Sequence, residues 1–425
     1  MDESGAPAHE TLRDPVDPPD PRRTLYTLAF VDEFAPLYAV FTLWFIDNDV
    51  STSEISVAFI VWAALAVVLE VPSGALADRL DRRKLIASAF ALRAAGIAVW
   101  LIWPTVTGLL IGAVLWAVHD AAASGAWEAM IHDQLDAVDR ASTYGVVMAR
   151  VGQFSNLGLA AGTIAASGLI RLGAGIDAIG WINVAVHGAS IALILTLPDA
   201  GWVSRLDDHR LGPSGSTRID EPTSYSEWRH TLRAGLSAGC RQPELLRLTV
   251  VGALIAGLFV VDEYVPLLAR ARGASDEVVP LIVLTVWLGL ILGGEVAARY
   301  PDMHSSTLAT ALLAGTAIAA VVIALDSPWA LAGIGVAYGA TEATWVISDA
   351  RFQAAAPRAT RATVTSVRGL GAGLVAGLAF LLVAVLTTDD DPTPGLHWVI
   401  GLLALASFLV WRWVPNRSAS PRKAG

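Results

Sequence analysis

Along this chain of 425 residues, apolar runs recur about twelve times, separated by short polar connections. A helix needs about 20 mainly apolar residues to cross the hydrocarbon of a bilayer. The runs fall at 24–46, 54–77, 85–104, 106–130, 142–170, 176–197, 245–269, 277–299, 305–325, 328–350, 361–386 and 395–414. Hydrophobic residues make up 54% of the chain and charged residues only 16%, with a mean hydropathy of +0.55. Soluble globular proteins carry about 25% charged residues. The expected fold class is therefore an all-α integral membrane protein with about twelve transmembrane helices.

Cations set the expected orientation. No Lys or Arg occurs between residues 24 and 78, whereas Arg22 and Arg23 precede that stretch and Arg79, Arg82, Arg83 and Lys84 follow it. Arg205, Arg210, Arg218, Arg229, Arg233 and Arg241 lie in a long central polar segment, and Arg412, Arg417, Arg422 and Lys423 lie at the tail. Both termini and the central segment are expected in the cytoplasm, with Asp47-Asn48-Asp49 and Asp389-Asp390-Asp391 outside. Arg270 and Arg272 break the pattern. No signal peptide is expected, because the chain opens on a polar, Pro-rich stretch. Cys240 is the only cysteine, so an intramolecular disulfide is excluded and a Cys-based metal site is not expected.

The chain repeats itself. Val31-Asp32-Glu33-Phe34-Ala35-Pro36-Leu37 returns 230 residues later as Val261-Asp262-Glu263-Tyr264-Val265-Pro266-Leu267. Gly125-Ala126-Trp127-Glu128-Ala129 resembles Gly339-Ala340-Thr341-Glu342-Ala343, and Gly74–Arg79 resembles Gly294–Arg299. Three matches in the same order divide the chain into two pseudo-symmetric six-helix bundles. The expected organisation is a disordered cytoplasmic tail over 1–23, a bundle over 24–199, a cytoplasmic linker over 200–243, a bundle over 244–414 and a short tail over 415–425. Within the linker, Tyr225–Leu236 suits an amphipathic helix on the membrane surface.

After span two the sequence reads Gly74-Ala75-Leu76-Ala77-Asp78-Arg79-Leu80-Asp81-Arg82-Arg83. This resembles the Gly-x-Leu-Ala-Asp-Arg-x-Gly-Arg-Arg signature of the major facilitator superfamily, at its usual place between helices two and three. The resemblance implies that fold, a transporter, and an inner gate latched by Gly74, Asp78, Arg79, Arg82 and Arg83. Asp81 stands where the pattern has a second Gly, and Ala298 replaces the Asp in the second half. Span four lacks the Arg of the drug-antiporter pattern, and span five lacks the Gly-Pro of the antiporter motif.

Acids in hydrocarbon cost a few kcal/mol each and normally face a bundle interior or a water-filled cavity. Asp32 and Glu33 lie about 12 Å into span one at 1.5 Å per residue, just before Pro36. Either they titrate protons or bind a cation, or they pair structurally with an arginine. Asp262 and Glu263 invite the same two readings. Arg150 in span five and Arg368 in span eleven are the candidate partners, as switch or as brace. His119 and Asp120, adjacent in span four, suit a proton relay or hydrogen bonding between helices. Glu128 and Glu342 are expected to pair with Arg82, Arg83 or Arg361 at the inner gate. His187, alone on an apolar helix, suits a structural role. The glycines Gly158 and Gly162 suit close helix approach. Trp62, Trp116 and Trp345 suit a cavity lining or core packing.

The leading expectation is a secondary active transporter performing proton-coupled efflux of a small organic solute, a drug or a metabolite. Metabolite uptake or facilitated transport is the alternative, and a non-transporting membrane sensor or assembly factor is the alternative of another class. Nothing supports an enzyme: no nucleotide loop, metal spacing or nucleophile–base motif occurs. No cofactor or metal is expected. The partners expected are a small-molecule substrate, protons and the lipid bilayer, with no nucleic acid, and the protein is expected to be a monomer in the cytoplasmic membrane.

Overall fold

A helix that satisfies its own backbone hydrogen bonds is the natural way to cross lipid, and the structure consists of such helices. The computed structural model describes residues 20–77, 80–198, 242–356 and 361–416. Most of both tails, the central linker with its 225–236 segment, Asp78 and Arg79 lie outside the described residues.

Twelve spans run through the described residues. They are α1 (Arg22–Ile46), α2 (Thr52–Ala77), α3 (Arg82–Ile102), α4 (Val106–Asp136), α5 (Tyr144–Arg171) and α6 (Ile176–Leu195), then α7 (Pro243–Ala271), α8 (Val279–Arg299), α9 (Ser305–Ala324), α10 (Pro328–Ala355), α11 (Arg361–Leu386) and α12 (Thr393–Trp413). Eleven are long and apolar enough to cross a membrane. The other, α5, is 28 residues long and dilutes its apolar surface with Gln153, Ser155 and Asn156.

Packing follows the repeat. In the first half α3 packs on α4 and α6, α2 on α4, and α1 on α5 and α6. In the second half α9 packs on α10 and α12, α8 on α10, and α7 on α11 and α12, the same pairs displaced by six helices. The halves meet where α2 lies against α11 and α5 against α8, two contacts that exchange under the same pseudo-symmetry.

Small residues allow the closest approaches. A Cβ added to Gly158 would lie 2.4 Å from the Phe30 carbonyl oxygen, and one on Gly162 would lie 2.8 Å from the Ala35 nitrogen, so α5 seats directly on α1. A second pair went unnoticed in the sequence. A Cβ on Gly289 of α8 would lie 2.1 Å from the Gly335 carbonyl oxygen, and one on Gly293 would lie 2.3 Å from that of Gly339. Without a hydrophobic force between helices in lipid, such backbone contact is a main source of association.

The Arg-bearing end is tied by short polar contacts. Asp81, in the position of the family glycine, is the N-cap of α3 at φ −61° and ψ 113°, accepting from the Arg83 N–H at 3.0 Å. Its φ is negative, so the turn does not need glycine. Burial works against its charge, but the hydrogen bond from the Arg83 side chain and the guanidinium itself hold its carboxyl below the usual range.

The glycine contacts give a paired test on one helix. Gly289→Ala is expected to destabilise the detergent-solubilised protein by about 1–3 kcal/mol through overpacking. Gly294→Ala, whose Cβ meets nothing within 4 Å, is expected to be neutral or to stabilise by about 0.5–1 kcal/mol through helix propensity. Thermal unfolding checks both, and equal effects would remove the close contact from the account.

Candidate functional site

Pro36 has no N–H to give and its ring crowds the carbonyl four residues back, so α1 does not run through. The residue before a proline is also pushed out of helical geometry. Accordingly α1 is helical over Arg22–Glu33, leaves the helical region at Phe34 (φ −72°, ψ 78°) and Ala35 (φ −116°, ψ 78°), makes a 3₁₀ turn over Pro36–Ala39 and resumes at Phe41–Ile46. In α7 the helix Pro243–Ile255 passes through 3₁₀ turns over Ala256–Val260 and Asp262–Tyr264 before Val265–Ala271. Both repeated acid pairs thus sit at an interruption of their helix.

The break in α1 frees backbone donors, and α6 meets one of them. The Leu37 N–H donates to Asn183 Oδ1 at 3.2 Å, and Asn183 Nδ2 lies 3.2 Å from His187 Nε2. Because Oδ1 already accepts from the backbone, Nδ2 must donate, which makes His187 Nε2 the acceptor and puts the imidazole proton on Nδ1. That nitrogen faces Asp32 Oδ1 at 3.6 Å. The other Asp32 oxygen lies 3.9 Å from Arg93 Nη1. Arg93 is 5% exposed and stacks over Trp116 at 4.6 Å. It interacts electrostatically with Glu33, Asp32 and Asp120.

On α4, His119 Nδ1 and Asp120 Oδ1 are 2.9 Å apart, and Asp120 Oδ2 accepts from Trp62 Nε1 at 2.8 Å. His119 interacts electrostatically with both Asp32 and His187. The first half therefore gathers three carboxylates, one guanidinium and two imidazoles around indole surfaces. Asp32 Oδ1, Arg93 Nε, His119 Nε2 and His187 Nδ1 are buried without a hydrogen bond.

In the second half tyrosines replace the arginine and histidines. Tyr338 OH donates to the Leu258 carbonyl at 2.6 Å, lies 2.9 Å from Asp262 Oδ1, and accepts from the Asp262 N–H at 2.8 Å. Glu263 is met from the other half, by Tyr38 OH at 2.9 Å.

That bond belongs to a series joining the halves. Ser56 Oγ and Tyr264 OH are 2.8 Å apart, and Trp287 Nε1 donates to Thr163 Oγ1 at 3.0 Å. Farther along, Thr52 N–H donates to Asp390 at 3.0 Å, Ser167 Oγ to the Glu277 carbonyl at 2.6 Å, and Arg270 Nη1 to Asp47 at 2.5 Å. Among the described residues, the hydrogen bonds found between the halves all lie on the Asp47 side of Asp32. Stacked rings fill the space behind them: Phe41 on Trp100 at 5.5 Å, Trp100 on Trp116 at 5.4 Å, and Phe59 on Phe380 at 4.9 Å. This end of the molecule is closed.

Several expected partnerships are different in the structure. Arg150 is exposed and Arg368 pairs with Asp349, stacked on Trp345 at 4.2 Å, so neither reaches Asp32 or Glu33. Glu128 is exposed near Tyr144, while Arg82 pairs with Asp133 at 2.5 Å and Arg83 with Asp81 at 3.2 Å. Asp133 lies a turn beyond Glu128, level with the start of α3, and that register decides the pairing. Glu342 is half-buried where α10 meets Gly293. Gly74 lies within α2, and nothing is described of the Arg361 side chain. Arg270 bridges Asp47 and Asp276, and Arg272 donates to the Val322 carbonyl at 3.1 Å and to that of Ile323, so local pairing occupies both exceptional cations.

No motif in the sequence marks Arg93, Asn183 or Tyr38, and a lone histidine on an apolar helix such as His187 reads as structural. A single arginine amid an apolar span, as at Arg93, is nonetheless a signal in the sequence. Among the described residues no group of three or more His, Cys, Asp or Glu is placed to hold a metal ion.

Tyr38→Phe takes the donor from Glu263 and leaves a half-buried carboxyl unpaired, at a cost of about 1 kcal/mol. The closed end is expected to open about tenfold more often. Spin labels on Ile102→Cys and Trp329→Cys, at that end of α3 and α10 in a Cys240→Ser background, report the opening as a longer distance. An unchanged distance distribution would remove this bond from the closure.

The Major Facilitator Superfamily profile matches residues 24–341. No curated protein sequence matches the chain. Among solved structures, the nucleoside transporter NupG superposes with a TM-score of 0.68 at 14% identity, covering 92% of this chain and 98% of its own. A D-xylose-proton symporter gives 0.65 at 16% identity, covering 93% and 97%. A bacterial homolog to the human lysosomal transporter Spinster, in an inward-facing and unoccupied conformation, gives 0.66 at 14%, covering 94% and 98%. These likenesses are of fold, and with the profile match over most of the sequence they place the chain as a member of the Major Facilitator Superfamily of membrane transporters.

Proposed function

We propose that this transporter exchanges protons for a small organic solute, cationic or amphiphilic, and exports it across the cytoplasmic membrane. The observation carrying this reading is the half-buried cluster of Asp32, Glu33 and Asp120 around one buried arginine, Arg93. Three carboxylates facing one guanidinium leave an excess of acceptors, and buried charges must be paired or neutralised. Either a proton or a cationic group meets that need, so the two compete for the same oxygens. Competition for one site in a protein that opens to one side at a time is antiport.

The parts fall into roles. Asp32 and Glu33 carry the exchange, with Asp120 and His119 as relay. Arg93, seated on Trp116 beside Asp32, occupies the place a solute cation would take and gives way to it. Tyr38 and Glu263 help to close the end that the positive-inside rule assigns to the outside. The form described here then faces the cytoplasm, where an exporter loads. The protein acts as a monomer with both termini cytoplasmic.

The fold likeness to a structure named as a D-xylose-proton symporter favours a second reading, in which proton and solute move together. Everted vesicles separate the two. With an acid interior established, adding a cationic solute is expected to collapse the pH gradient for the wild type. The Asp32→Asn/Glu33→Gln variant is expected to respond at least about tenfold less. Proton movement in the opposite sense would favour symport, and equal responses from both proteins would remove Asp32 and Glu33 from coupling.

A further inference from the structure

The contacts leading from the break in α1 to Asp32 share one polarity. Leu37 N–H gives to Asn183 Oδ1, Asn183 Nδ2 gives to His187 Nε2, and His187 Nδ1–H faces Asp32 Oδ1 across 3.6 Å, an ionic separation rather than a hydrogen bond. Every donor points toward the carboxylate. Asn183 is 1% exposed and His187 fully buried, so bulk water has little access to repair a reversed link.

Resting on the proton-coupled reading of this site, we propose that Asn183 is its coupling residue, releasing the Leu37 N–H when Asp32 takes a proton and so opening the closed end. The steps are proton bookkeeping along the chain. A proton on Asp32 Oδ1 faces the His187 Nδ1–H, donor against donor. Relief comes when the imidazole shifts tautomer: the Nδ1 proton leaves and one is taken up on Nε2, so that Nδ1 accepts from the Asp32 carboxyl and Nε2 ends up protonated. Nε2–H then faces Asn183 Nδ2–H. Rotating the amide by half a turn satisfies His187 but turns Nδ2 toward the Leu37 N–H, and the conflict moves to the backbone. The Leu37 N–H and Nε2 meet different atoms of the amide, so with Asn183 held in this seat its single oxygen serves one of them at a time. A proton on Asp32 Oδ2 instead confronts Arg93 Nη1.

The mechanical consequence lies one residue away. Leu37 adjoins Tyr38, whose hydroxyl meets Glu263 across the halves, and the same 3₁₀ turn leads into the segment ending at Asp47, partner of Arg270. Freeing the turn loosens both cross-half contacts. The charged and titratable groups facing His187 among the described residues are Asp32 from α1, Arg93 from α3 and His119 from α4, with Glu33 and Asp120 around Arg93. All belong to the same cluster, so the pH response of the chain is that of the cluster.

The test is the 102–329 spin-label distance in purified, Cys240→Ser protein, followed from about pH 8 to about pH 5, the range in which histidine-linked switches work. In the wild type the long-distance population is expected to grow at least about fivefold on acidification, the lower end of ordinary coupling. Asn183→Asp accepts from both the Leu37 N–H and a protonated Nε2, and is expected to lose that growth. His187→Gln, which does not titrate, supplies a second variant and is also expected to give a flat profile. A wild-type response that persists in both variants overturns the role of Asn183, as does a pH-independent wild type. Proton flux unaffected by Asp32→Asn would sink the coupling reading itself, whatever the labels report.

Discussion

A carboxylate inside hydrocarbon has to be met by a donor, and the arrangement of this protein around its two acid pairs follows from that need. Each pair sits where its helix is interrupted, because the interruption turns backbone and side chains toward neighbouring helices that can answer them. Asp32 is faced by Arg93 at 3.9 Å and His187 at 3.6 Å, Asp262 lies 2.9 Å from the hydroxyl of Tyr338, and Glu263 accepts from Tyr38 of the opposite half. The last of these makes one half-buried acid part of the join between the bundles. Satisfying a charge and closing an end are here the same contact.

The two halves show what duplication keeps and what it releases. The helix pairs, the interruptions before Pro36 and Pro266, and the seams α2–α11 and α5–α8 are retained. The partners of the acids are not. The first half has ionisable groups that can change charge at moderate pH, whereas the second has phenols, which stay neutral donors there. On the proposed reading the first half exchanges a cation or proton and the second holds the gate, a division of labour on a common frame.

Much of this was legible in the amino-acid sequence, and the reasons are physical. The length of apolar runs is set by bilayer thickness, so the spans were recovered to within a few residues, and the repeated Val-Asp-Glu motif marked both interruptions. Side-chain partnerships were less accessible. Glu128 against Asp133 as the mate of Arg82 is a question of helix register at one end, and a single turn decides it. Arg368 meets Asp349 and Trp345 instead of the span-one acids, because nothing in the order of residues says which way α11 turns this side chain. His187 looked like a bland interior histidine until α1 and α6 were placed together. Asp81 looked like a defect in a glycine motif, and the structure makes it a helix cap.

The central claim is that proton and solute compete for the oxygens of one half-buried cluster, and the most direct measurement is proton release on binding. Purified protein in weakly buffered solution is titrated with a cationic solute that it binds, while the pH is followed. The account predicts that binding releases protons, that release fades at high pH where the cluster is already deprotonated, and that Asp32→Asn removes most of it. Tight binding with no proton release across the pH range, or with proton uptake, would contradict it.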